Sequence, residues 1–286
     1  MSEDREHRYI TQGGIEVTVD RIPIEADSAI EELIDRLDSE KGLLLSSSYE
    51  YPGRYTRWDM GFVNPPLSIT SSKNVVEVRA LNGRGKILLD VIYNAARNVV
   101  GAIEVAQSED VVSCRIEQVN HRFEEEQRSR QPSTFSVVRA IVELFAGADP
   151  HLGLYGAFGY DLAFQFEPMK MSLERPADQR DLLLYIPDQL IVVDHQGALA
   201  ERVSYEFAIG GRATAPFERA GEIVPYLADK SFVSHRDHAP GSYANAVELA
   251  RDYFARGDLF EVVSSQTFSE PSPEPPSELF RRLKEQ

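Results

Sequence analysis

Short apolar runs bounded by turn residues recur along this chain, and they outnumber its long amphipathic stripes. Residues 43–45, 74–81, 86–93, 99–106, 111–119, 182–186 and 190–193 each have the length and composition of a strand. Strands that arrive in quick succession, with few helices between them, pair antiparallel, because a parallel neighbour needs a long crossover. The order therefore predicts an α+β fold with mostly antiparallel sheets and disfavours a doubly wound parallel one. Asn82-Gly83-Arg84-Gly85, between the runs 74–81 and 86–93, reads as the best hairpin turn in the sequence.

Helical stripes punctuate this pattern. One follows Asp27 and Ser28, where Ser28 and Glu31 have capping-box spacing and Ile30, Leu33, Ile34 and Leu37 share a face, with Gly42 as a stop. Ser133 caps another, with Val138, Ile141, Val142 and Phe145 facing one way. Tyr243, Val247, Ala250 and Phe254 mark a third, which ends at Gly257 and leads into a strand over 259–268 and a proline-rich turn. A last helix begins in 277–286. At 286 residues the chain allows one large domain or two small ones, and 42% hydrophobic residues supply a sizeable core, excluding a mainly disordered state.

Charge and cysteine usage narrow the function classes. A net charge of −16 repels phosphate backbones, and the densest basic group, Arg122, Arg128 and Arg130, lies among Glu124, Glu125 and Glu126. Nucleic acid is therefore not an expected partner. The single cysteine, Cys114, excludes an internal disulfide and a cysteine metal site, fits a reducing cytoplasm, and sits among Val111, Val112 and Ile116 as a core thiol. No signal-peptide run opens the chain, and no stretch of about 18 apolar residues offers a membrane span.

Several segments could carry chemistry. Gly153, Gly156 and Gly159 have neither phosphate-loop nor dinucleotide spacing and read as close sheet packing. His235 and His238 lack a third clustered ligand and read as a solvated loop, and Asp194-His195 reads as a strand-end turn. Ser46, Ser47 and Ser48 follow an apolar strand and precede Tyr49, Tyr51, Tyr55 and Trp58 with Arg54 and Arg57. Hydroxyls and a guanidinium beside aromatic rings can hold the two charged ends of a small flat zwitterion, or can form an ordinary turn. In 257–268, Glu261 shares a strand face with Val263, Ser265 and Thr267, as either an edge charge or a site carboxylate.

Taken together these segments resemble component I of anthranilate synthase, a chorismate-utilising family. Residues 257–268 are similar to its Gly-Asp-Ile-Phe-Gln-Val-Val-x-Ser-Gln-x-Phe motif. Residues 152–167, with Gly159-Tyr160-Asp161 and Phe166-Glu167, resemble its Gly-Tyr-x-x-Tyr-Asp segment, and Pro187-Asp188 to Asp194-His195 resembles its Pro-Asp to Asp-His stretch. Residues 46–59 resemble the alpha-proteobacterial form, in which a glutamine amidotransferase is fused at the C-terminus. The resemblance implies two face-packed, mostly antiparallel sheets with helices outside, incomplete at the C-terminus. It implies Mg²⁺-dependent amination of chorismate with ammonia from glutamine, then loss of pyruvate, in a cytoplasmic oligomer that uses a fused or separate amidotransferase.

The resemblance also implies inhibition by tryptophan on a Leu-Glu-Ser segment that falls on Leu45, Ser46 and Ser47, with Ser46 in place of the usual Glu, and on Arg57 downstream. Glu261 stands where this family has Gln and water-using relatives have Lys, and a carboxylate there favours ammonia as nucleophile. Residues 1–26 are expected to form an extension and first strand, 27–240 a tryptophan-sensing region, and 241–286 the start of a chorismate-binding region. The family's Asn-Pro-Ser-Pro-Tyr motif, catalytic His, carboxylate-binding Arg and Mg²⁺-holding Glu residues are expected beyond Gln286, leaving this part inactive alone. The alternatives are a stand-alone amino-acid-binding module, and a relative that makes aminodeoxychorismate or the phenazine precursor.

Overall fold

The computed structural model describes residues 6–46, 57–118, 131–167 and 174–285. It forms two compact units, Met1–Val224 and Pro225–Gln286. Ser47 and the rest of the serine and aromatic loop to Thr56, together with Arg122, Arg128 and Arg130, lie outside the described residues.

The first unit begins β1 (Glu6–Ile10), β2 (Glu16–Pro23), α1 (Ala26–Leu37), β3 (Gly42–Leu45), β4 (Trp58–Val63), β5 (Leu67–Ser72), β6 (Val75–Ala80) and α2 (Gly83–Arg97). It continues β7 (Ala102–Gln107), β8 (Val111–Ile116), α3 (Thr134–Phe145), β9 (Tyr155–Phe158), a 3-10 helix (Tyr160–Gln165), β10 (Leu182–Ile186), β11 (Gln189–Asp194), β12 (Leu199–Ile209) and β13 (Arg212–Ala213). One sheet has the order β1-β2-β12-β11-β4-β3, with β13 beside β12, and the other has β7-β8-β6-β5-β10-β9. Every named pairing is antiparallel, as the strand succession predicts.

Alternation along the strands builds one core from both sheets. Val17 and Val19 of β2, Val203, Tyr205 and Phe207 of β12, Leu67 and Ile69 of β5, and Leu182 and Leu184 of β10 are all buried in it. Each such side chain contributes roughly 1.5–3 kcal/mol of burial. Phe62 of β4 meets Tyr155 and Tyr185 of the other sheet edge-on at 6.0 and 5.9 Å, so the two sheets pack face to face. Cys114 is buried on β8, and burial pushes its thiol up to about 11. Among the described residues no helix is long and apolar enough to cross a membrane.

Five local expectations need correction. Residues 86–93 belong to α2, and no hairpin forms at Asn82-Gly83-Arg84-Gly85. Asn82 is extended, and its side-chain oxygen accepts the backbone N–H of Arg84 and of Gly85, both at 3.1 Å, so it caps a helix. Ile87, Leu88, Leu89, Ile92 and Ala96 then bury one helical stripe. Gly85 serves packing, because a Cβ there would lie 2.1 Å from the Pro66 carbonyl oxygen. The actual two-residue link is Lys73-Asn74, between the paired Ser72 and Val75; Lys73 is left-handed at φ 56°.

The first helix starts earlier than Ser28. Glu25 caps it, its carboxylate accepting the N–H of Asp27 at 3.2 Å and Ser28 at 2.7 Å. On α3, Val142 is exposed while Val137 and Leu144 join Val138, Ile141 and Phe145 in the core, which turns the buried stripe by part of a turn. The strand 43–45 is not buried through: β3 is a sheet edge, with Leu45 45% exposed.

The second unit contains α4 (Ser242–Arg256), α5 (Pro276–Glu285) and a two-stranded ladder of β14 (His235–Arg236) with β15 (Phe268–Ser269). Gly257 ends α4 at φ 78°, a left-handed conformation that suits glycine. The strand expected over 259–268 is formed only at Phe268. A strand needs a neighbour to take its ladder bonds, and among the described residues no strand pairs with 259–267; the Asp237 N–H reaches the Thr267 carbonyl at 3.3 Å only where the β14–β15 ladder begins.

Candidate functional site

The sequence-predicted residues Leu45, Ser46 and Arg57 gather at one end of the first sheet. Leu45 is the last residue of β3 to pair, opposite Met60 of β4. Ser46 follows it on the side of Asp59, and Arg57 immediately precedes β4. At about 3.3 Å per strand residue, Ser46 and Arg57 lie within two residue steps of each other along the sheet edge. Ser47 is outside the described residues, so the site has one predicted member without a described position.

The neighbouring strand supplies what the sequence reading missed. β11 pairs with β4 so that Asp194 faces Trp58, and the N–H of His195 donates to the Arg57 carbonyl at 2.8 Å. Arg57 Nε donates to Asp194 Oδ1 at 3.2 Å and Nη2 to Oδ2 at 3.0 Å, a two-pronged pair along one edge of the guanidinium. Asp194 Oδ1 also accepts the N–H of Gln196 at 3.1 Å and of Gly197 at 3.0 Å, closing the turn expected there. These bonds, led by that from Arg57, hold the Asp194 carboxyl below the usual carboxylate range. The Arg57 guanidinium carbon stands 4.6 Å from the centre of the Trp58 ring.

Asp194 and His195 are therefore not a dyad. His195 turns instead to Asp59, with Nε2 and Oδ2 3.0 Å apart and Asp59 buried. Two cross-strand pairs, Arg57 with Asp194 and His195 with Asp59, fasten the ends of β4 and β11 together. The acidic partners stand 137 and 136 residues away from their bases in sequence, so no local signal could have joined them.

Trp58 also borders a buried polar hub, meeting the His151 ring edge-on at 6.2 Å. There Asp149 accepts the Arg21 guanidinium at 2.5 Å, the Tyr205 hydroxyl at 2.9 Å and the His151 N–H at 2.9 Å. Burial alone would raise the Asp149 carboxyl, but these donors together hold it below its usual range. Burial likewise pushes His151 down, keeping it neutral beside Arg21. This hub joins β2 and β12 to the segment before β9 and has little open surface, which marks it as structural support.

The remaining candidates have other surroundings. Glu261 lies in the second unit, exposed and outside any strand, so the face-sharing with Val263, Ser265 and Thr267 is not realised. Gly156 packs as expected, a Cβ there falling 2.1 Å from the Leu183 carbonyl oxygen. His235 and His238 are exposed, but His235 pairs with Ser269 in the β14–β15 ladder, so the loop expected there is corrected to a short strand at that residue. Among the described residues no three His, Cys, Asp or Glu side chains converge as a metal ion needs.

Comparison with known proteins places this geometry. The family described as chorismate binding enzyme matches residues 87–286. The chain belongs to the chorismate binding enzymes. Among relatives, the "Anthranilate synthase" of Azospirillum brasilense is 47% identical over 280 residues, covering 97% of this chain and 38% of that protein. "Anthranilate synthase component 1" of Haemophilus influenzae is 26% identical over 270 residues, covering 91% of this chain and 52% of that protein. That of Vibrio cholerae is 26% identical over 260 residues, with coverages of 85% and 48%. The chain thus spans between 38% and 52% of the length of these relatives. In this chorismate binding enzyme Leu45, Ser46 and Arg57 precede the matched span, whereas Asp194, His195 and Glu261 fall inside it.

Proposed function

We propose that this chorismate binding enzyme is part of an anthranilate synthase. It converts chorismate and ammonia, drawn from glutamine by a fused or separate amidotransferase, into anthranilate, pyruvate and water, in the cytoplasm and as an oligomer. The observation that carries this reading is the 47% identity over 97% of the chain to a protein of that name. On this reading residues 27–240 sense tryptophan and 241–286 open the catalytic region. Glu261 would take a proton from ammonium, leaving ammonia as the nucleophile. Mg²⁺ belongs to the proposed reaction, but no set of described residues fits it, and no step is derived through it.

The end of β3, β4 and β11 is the proposed tryptophan site. Arg57 meets the carboxylate, while the hydroxyls of Ser46 and Ser47 accept from the ammonium. Leu45 and Trp58, 45% and 38% exposed, offer apolar surface to the indole. A hydroxyl in place of a carboxylate at Ser46 gives a neutral acceptor, so the ammonium contact is weaker than a charge-assisted one. The test is fluorimetric, on protein expressed from its whole reading frame with chorismate, ammonium and Mg²⁺. Anthranilate fluorescence that tryptophan suppresses is expected. Accumulation of an aminated chorismate without anthranilate would overturn the assignment in favour of the aminodeoxychorismate or phenazine-precursor reaction.

A further inference from the structure

Among the described residues the Arg57 guanidinium is held on one edge. A guanidinium carries donors along a side edge, Nε with one Nη, and along an end edge formed by the two Nη atoms, and each edge can take a carboxylate. Asp194 fills the side edge through Nε and Nη2. Among the described residues no acceptor within hydrogen-bonding distance of Nη1 is recorded, and the side chain is 50% exposed.

Asp194 is itself fixed from behind. Its side chain is 10% exposed, and one oxygen takes the Gln196 and Gly197 N–H groups. A Cβ on Gly197 would lie 2.9 Å from Asp194 Oδ2, so the turn closes tightly on the carboxylate. The bond from the His195 N–H to the Arg57 carbonyl fixes the arginine backbone as well, and Trp58 lies under the guanidinium plane.

We infer that Asp194 is a positioning residue for effector recognition: it clamps the side edge of Arg57 so that the end edge is presented, pre-oriented, to the carboxylate of an α-amino acid. This rests on the proposed tryptophan site. The entropy of ordering a long arginine side chain is met on folding and is not charged against the ligand. The clamp also explains why an arginine that already has a carboxylate partner can serve a second one.

The test is a double-mutant cycle on tryptophan affinity, measured by calorimetry on protein expressed from its whole reading frame. Arg57→Ala and Asp194→Asn are each expected to weaken tryptophan about tenfold, the scale of one charge-assisted hydrogen bond. In the Arg57→Ala background, Asp194→Asn is expected to cost nothing further. Gly197→Ala, which pushes the carboxylate off the arginine, is the second variant, should Asp194→Asn fail to fold; a several-fold loss is expected in the Arg57 background alone. Full affinity in Asp194→Asn and Gly197→Ala, with loss in Arg57→Ala, would overturn the clamp and leave the tryptophan site standing. An equal loss in both arginine backgrounds would also overturn it, as a merely structural effect. Full affinity in Arg57→Ala would overturn the site reading itself.

Discussion

Arg84 and Arg57 each sit against an aspartate, and their surroundings separate support from recognition. Arg84, at the start of α2, is 1% exposed. Its Nε reaches Asp188, Nη1 donates to the carbonyls of Thr214 at 2.9 Å and Phe217 at 3.1 Å, and Nη2 donates to the Tyr205 carbonyl at 3.0 Å and Glu206 at 2.9 Å. All its donors are used, and Arg219 balances the second acid through Glu206 at 2.6 Å. Arg57 has the same kind of partner but fills one edge, and among the described residues its other edge has no acceptor. A saturated guanidinium can only hold the fold together, whereas a half-saturated one is rigid and still able to bind.

The comparison can be broken most forcefully at the buried member. Arg84→Ala strands Asp188 in the interior and is expected to cost about 3–5 kcal/mol in chemical denaturation; a loss below about 1 kcal/mol would mean the knot is not load-sharing as described. At the open member the same change should move stability far less than Arg84→Ala does, because the Arg57 guanidinium is half exposed and screened by solvent. A loss as large as that of Arg84→Ala would make Arg57 structural too. The finest test is a carbon NMR titration of Asp194. Its carboxyl is held below the ordinary range, so the pair contributes above the unfolded carboxylate value of about 3.9 and is lost as pH falls through the lowered folded value. Arg57→Ala should move that titration upward, and an unchanged curve would deny the pairing in solution.

Much of the architecture was legible because it is local. Short apolar runs announced β6, β8, β10 and β11, whereas β5 was not foreseen, and Ser133 marked the start of α3. The failures are also physical. Asn82-Gly83 has the chemistry of a turn, yet an asparagine that caps a helix uses the same short side chain, and the glycine two residues on is demanded by the Pro66 carbonyl. The run 259–267 alternates like a strand but forms no ladder with any described strand. At the candidate site, Leu45, Ser46 and Arg57 were nameable from the chain, while Asp59, Asp194 and His195 acquired their roles only through the β4–β11 register.

The sequence by itself determined the antiparallel α+β class, the buried thiol of Cys114 and the family resemblance, because side-chain periodicity and motif spacing are properties of adjacent residues. Only the tertiary structure decided which charges meet. Arg57 and Asp194 stand 137 residues apart in sequence and form two hydrogen bonds because β11 lies beside β4. Charge pairing of that kind depends on distance through space, which the order of residues along a chain does not carry.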